Sequence, residues 1–97
     1  MSLQDCTAAE LADMLDGVER FPHNTGSLSM LDEATLAFRR KDAGLAALQR
    51  KFASARLAHM SSWSTEAQAY SDEAWRAATE AAHSLAAALR ELGDARR

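Results

Sequence analysis

A chain of 97 residues and 10.5 kDa, with 47% hydrophobic and 26% charged residues, has the make-up of one globular domain and excludes wholesale disorder. A net charge of −3 and a pI near 5.5 exclude the net basic field that nucleic-acid binding usually uses. No run approaches the ~18 apolar residues of a membrane span, and the single cysteine, Cys6, allows neither an internal disulfide nor a cysteine zinc site. Alanine supplies 22 of the 97 residues and aromatics only 6%, so one copy is expected to have a thin core and to gain stability from a partner. The opening stretch carries acids where a secretory signal needs a basic start and an apolar run. The expected location is cytoplasmic, or outside the cell by a route without a cleaved signal peptide.

Taken in chain order, Thr7-Ala8-Ala9-Glu10 is a capping box, and Leu11, Met14, Leu15 and Val18 follow at helical spacing. They predict a short helix over 7–20, ended by Pro22 through its restriction of Phe21. Residues 21–28 read as a loop. A long helix is predicted over 29–60, with Ser27 or Ser29 as N-cap and Asp32 and Glu33 in its first turns. Leu31, Phe38, Leu45, Phe52 and His59 recur every seven residues on it. Lys41, Asp42 and Gly44 interrupt that stripe, Gly44 at a cost of about 1 kcal/mol relative to alanine.

Thr65-Glu66-Ala67-Gln68 reads as a second capping box and starts a third helix over 65–92, with Gly93 as its stop. Its alanine columns let a neighbouring helix approach closely. The short connection between the two long helices favours an antiparallel hairpin. The expected fold is therefore all-α: a single domain over 1–97, a hairpin of two long helices with a short additional N-terminal helix, completed as a bundle by dimerisation.

Charge is shared unevenly: residues 1–26 sum to −4, residues 27–62 to +3 and residues 63–97 to −2. Arg39, Arg40, Lys41, Arg50, Lys51 and Arg56 form the basic element, which either matches the chain's own acids or meets an acidic partner.

No Gly-x-Ser-x-Gly elbow and no phosphate-cradling glycine loop are present, so no catalytic site is expected. Glu80 and His83 form a Glu-x-x-His step that, with Glu33, could serve a ferritin-like or other metal-binding bundle. Two further Glu-x-x-His members are missing, and the main reading takes no cofactor. His59 lacks the basic residue and glycine that usually follow a phosphotransfer histidine. It reads as packed at a helix end, where imidazole could make a pH-sensitive contact. Trp63 in the turn and Trp75 on the last helix read as a clamp on the helix ends or as an anchor for a partner.

A helix, a turn carrying tryptophan and an alanine-rich second helix resemble the WXG100 (ESAT-6-like) proteins of type VII secretion. The similar stretch is Ser62-Trp63-Ser64-Thr65-Glu66-Ala67-Gln68-Ala69-Tyr70, then Trp75 and the alanines and leucines to Leu92. The resemblance implies a non-catalytic hairpin that pairs with itself or a sibling into a four-helix bundle and is exported folded. Thr65 stands where that family has glycine, Tyr70 comes one residue early, and an acidic helix precedes the hairpin. A tyrosine-x-x-x-acid export tail is not evident: Ala74 lies four residues after Tyr70, and the sequence ends Asp94-Ala95-Arg96-Arg97.

The combined expectation is a non-catalytic helical interaction or assembly subunit that pairs with itself or another protein. A small helical inhibitor or chaperone docking one target is the further alternative. The residues expected to carry the partner contact are Leu31, Phe38, Leu45, Leu48, Phe52, Trp63, Trp75, Leu85, Leu89 and Leu92.

Overall fold

The computed structural model describes residues 6–95. Among them are four α-helices and no strand: α1 (Ala8–Asp16), α2 (Thr25–Thr35), α3 (Ala43–Ser61) and α4 (Asp72–Ala95). Short 3-10 stretches at Val18–Arg20 and Leu36–Arg40 follow α1 and α2. The all-α class is as expected. Met1–Asp5 of the N-terminal stretch weighed against a secretory signal, and Arg96 and Arg97 of the C-terminal stretch weighed as an export tail, lie outside the described residues.

The first helix starts where the capping box places it. The Thr7 hydroxyl accepts from the Glu10 amide at 3.1 Å, and the Glu10 carboxylate accepts from the Thr7 amide at 3.0 Å. The Thr7 amide first, and the Thr7 side chain second, hold the Glu10 carboxyl below its ordinary pKa by hydrogen bonding to it. The helix stops at Asp16, shorter than the expected 7–20, and Val18–Arg20 continue as a 3-10 turn. The next helix begins at Thr25, not at 29, because the Asn24 side chain accepts from the Ser27 amide at 3.0 Å and takes the N-cap role expected of Ser27 or Ser29.

The single long helix over 29–60 is the main correction. The chain leaves α-helical geometry at Leu36 and restarts at Ala43, where Asp42 adopts extended backbone and accepts from the Leu45 amide at 2.9 Å. An N-cap carboxylate offers amides an acceptor that helix continuation would withdraw, and Gly44 leaves room for it, since a Cβ there would lie 3.0 Å from Asp42 Oδ1. The break brings α2 against α3, where it is fastened by a polar network. Gln49 donates to the Asp32 carboxylate at 2.6 Å and the Asp32 carbonyl at 3.0 Å; the Arg56 Nε donates to the same carboxylate at 2.7 Å. Thr35 accepts from Gln49 at 3.2 Å, and the Gln49 carbonyl accepts from Arg39.

The third boundary also moves. Residues 64–69 close a small ring through paired Ser64–Ala69 backbone bonds of 2.9 and 3.3 Å, with Gln68 at φ 52°. Thr65 therefore caps nothing. Ser71 does: its hydroxyl accepts from the Ala74 amide at 3.2 Å, ahead of Asp72 and Glu73 in the first turn of α4. The helix continues through Gly93 to Ala95.

The last helix is the central element, packed along α1 on one side and α3 on the other, with α2 against α3 and α1. Asp13 and Asp16 meet Arg90 at 2.7 and 2.5 Å, Glu19 approaches His83 at 3.9 Å and His23 meets Asp72 at 2.9 Å, so residues 13–23 run opposite to α4. Ala78, Ala81, Ala82 and Ala86 on α4 are buried, and their small side chains admit both neighbours. Leu11, Leu15, Leu28, Phe52, Leu85 and Leu89 are the large apolar side chains that are fully buried. The molecule measures 51 × 27 × 17 Å.

Candidate functional site

The residues expected to face a partner instead form this core. Leu31, Phe38, Leu45, Phe52, Trp75, Leu85 and Leu89 are buried by the chain's own helices, and Leu48 and Leu92 pack half-buried against them. Folding back at residues 36–42, together with α1, covers the stripe that a straight rod would have left open. Trp63 is the exception at 50% exposure. The basic group divides as well: Arg39 and Arg56 turn inward to Gln49 and Asp32, while Arg40, Lys41, Arg50 and Lys51 stay exposed, Lys41 above the Phe38 ring at 4.9 Å. Glu33, Glu80 and His83 are not brought together. Glu33 lines a recess with Cys6, Phe38 and Arg40, and His83 faces Glu19. Among the described residues no three His, Cys, Asp or Glu side chains converge as metal ligands.

Two features stand out that the linear reading did not assemble. The first is an open groove of about 420 Å³ between α1 and α2. Met14, Gly17 and Val18 form one side, Met30 and Leu31 the other, and Arg20 and Phe21 the connecting end. Met14, Phe21 and Met30 are 39%, 62% and 56% exposed, so the large apolar side chains around the groove stand in solvent. Asp13 at its edge is bound to Arg90, and those carboxylate bonds raise the Arg90 pKa. Arg20 has no carboxylate partner among the described residues.

The second feature is a histidine and aromatic cluster where the loop after α1 meets the end of α3 and the start of α4. His23 Nδ1 lies 2.9 Å from His59 Nε2, and His23 Nε2 lies 2.9 Å from the Asp72 carboxylate. His59 is fully buried, stacked on Tyr70 at 4.7 Å and tilted against Trp75 at 5.1 Å. Trp63 closes edge-on against Tyr70 at 5.0 Å, so the tryptophan of the turn helps to clamp the helix ends while half of it remains exposed. His59 Nδ1 is buried with no hydrogen-bond partner. Burial first, and the neighbouring His23 charge second, push the His59 pKa below its ordinary value.

Comparison of the chain with protein-family models, curated proteins and solved structures returns no match. The function is therefore argued from these two features. The packed end of α3 was legible for His59 in the heptad stripe. Its partner His23 carried no local signal, because the contact spans 36 residues and forms only once α3 and α4 are in place. The groove had a weak signal: Met30 lies beside the stripe residue Leu31, while Met14 belongs by spacing to the first helix's apolar stripe and yet stands 39% exposed.

Proposed function

We propose that the protein is a non-catalytic helical assembly subunit that pairs with a second copy of itself through the α1/α2 groove. The observation that carries this reading is the cluster of exposed Met14, Phe21 and Met30 around an open apolar groove. A second copy is the occupant because the rim carries both signs of charge around an apolar centre. Arg20 lies at one end, and Asp13 lies on the α1 side. In a two-fold pairing Arg20 of each copy would face the Asp13 edge of the other, the reciprocal contact of an isologous interface. A standard interface takes ~800 Å² from each partner, roughly one-eighth of the 6046 Å² this chain exposes. Methionine suits such a contact, since its flexible thioether fits an irregular partner surface.

Sedimentation equilibrium tests the reading. The unmodified chain is expected to be a dimer at micromolar concentration, and Phe21→Asp and Met30→Lys are expected to be monomers with unchanged helix content. A monomeric unmodified chain, or variants that stay dimeric, overturns it. A second reading, a WXG100-like exported subunit using α3 and α4 as its antiparallel hairpin, is favoured by Trp63 standing half exposed on the turn between them. Appearance of the folded chain in the medium of its host, lost in Trp63→Ala, is its test.

A further inference from the structure

We propose that the His23–His59 contact is an acid-released clasp: one proton added to the pair frees the Phe21–Asn24 loop from the end of α3, loosening the wall of the α1/α2 groove. The proposal deepens the pairing reading and rests on it only for the last step, the effect on dimerisation.

The geometry fixes where the hydrogens lie. The Asp72 carboxylate only accepts, so His23 donates to it from Nε2. In a neutral ring the other nitrogen is then an acceptor, so His23 Nδ1 receives the hydrogen of His59 Nε2 across 2.9 Å. His59 Nδ1 is left as a bare lone pair in a buried site. That arrangement satisfies both contacts and three of the four ring nitrogens, and leaves one acceptor idle.

A further proton has no good place. On His23 it puts a hydrogen on Nδ1, facing the hydrogen already on His59 Nε2. The two rings then repel, or His59 moves its own hydrogen to Nδ1, where no acceptor waits. A buried N–H without an acceptor is costlier than an idle lone pair. On His59 the proton can enter only at Nδ1, which keeps the bond to His23 but leaves a buried N–H without an acceptor and a buried charge as well. The groups facing the pair from the surrounding elements do not relieve this. The titratable or charged ones are the Asp72 carboxylate from α4, already used by His23, and the Tyr70 phenol from the α3–α4 loop, whose ring stacks on both imidazoles. The Trp75 indole from α4 completes the walls.

The loop is also poised to leave. His23 holds φ 64°, left-handed backbone that a side chain with Cβ adopts only when its surroundings require it. Phe21 lies two residues before it and forms the end of the groove; Asn24, immediately after, caps α2 and donates to the Phe21 carbonyl at 3.1 Å. Loss of the clasp therefore reaches the groove wall and the α2 cap together.

The test compares the full chain with His23→Asn, since asparagine tolerates positive φ and does not titrate. Long-range nitrogen–proton NMR near neutral pH is expected to show both imidazoles protonated on Nε2; a proton on His59 Nδ1 overturns the proposal without any variant. Amide exchange is then measured at about pH 7.5 and about pH 5, on either side of the ordinary imidazole value, with intrinsic rates corrected. Protection of Phe21, Asn24 and Leu28 is expected to fall severalfold in the unmodified chain as the loop opens. The α3 and α4 amides stay protected, and His23→Asn does not change. Unchanged protection in the unmodified chain, or the same loss in His23→Asn, overturns the clasp. Sedimentation at the same two pH values separates the readings. A dimer that dissociates at the lower pH supports the coupling, and an opened loop with the dimer intact overturns it. A monomer at both values overturns pairing, while exchange still decides the clasp.

Discussion

Asp32→Ala is the sharpest probe of the break that turns one expected rod into α2 and α3. The Asp32 side chain is 9% exposed and its carboxylate receives Arg56 Nε at 2.7 Å and Gln49 Nε2 at 2.6 Å. Truncation leaves the Arg56 guanidinium, 17% exposed, without its counter-charge. Gln49 keeps the Asp32 carbonyl at 3.0 Å and the Thr35 hydroxyl at 3.2 Å, so the amide loses one acceptor of three. Removing one partner of a buried pair costs ~3–5 kcal/mol. Solvent reaches Arg56 enough to place this case near ~3 kcal/mol, against a total of ~5–15 kcal/mol for a chain of this length. The melting temperature is expected to fall by roughly 12–24 °C. Urea unfolding followed by circular dichroism measures the loss, and the double variant with Arg56→Ala is expected to lose less than the two single losses added. A single loss under ~1 kcal/mol, or strict additivity, refutes the view that this pair fastens the fold-back.

Two further outcomes follow from burial. Phe52→Ala is expected to cost ~3–5 kcal/mol in urea unfolding, with the dimer mass retained where the chain remains folded; loss of the dimer from a folded Phe52→Ala chain contradicts the intramolecular core. Unfolding free energy measured against pH is expected to be flat above ~6.5 and to fall below it, because a depressed native His59 pKa means the unfolded chain binds the proton more readily. The slope from this one proton is at most ~1.4 kcal/mol per pH unit, and a stability that rises on acidification through this window contradicts the sign.

What the sequence made legible was set locally. The Thr7–Glu10 box is a four-residue device, and it formed as read. The residues of the seven-residue stripe, Leu31 to His59, are all buried, yet they lie along two helices and a 3-10 stretch. Periodicity reports which residues avoid water, and it does not report whether the axis between them is straight. Three competing caps decided the boundaries. Asn24, Asp42 and Ser71 each had a readable signature, Ser71 with Asp72 and Glu73 directly behind it, but Ser27, Ser29 and Thr65 offered the same chemistry nearby. Choosing among them depends on tertiary contacts, such as Asp32 with Arg56 across 24 residues. The candidate site was less legible still, since both the groove and the histidine pair are built from residues that become neighbours only after that choice is made.

The central placement of α4 also governs the order of events during folding. The bond between Arg90 and Asp13 closes a loop of 77 residues, and α1 packs along a helix that begins only at Asp72. During synthesis, α1, α2 and α3 emerge with their apolar sides waiting for a strut not yet made. Long-range closure of this kind slows folding relative to helical proteins whose neighbours in space are neighbours in sequence. The nascent chain thus spends its early life as a holder of unfinished surfaces, which only the alanine-rich strut, made last of the four helices, can join.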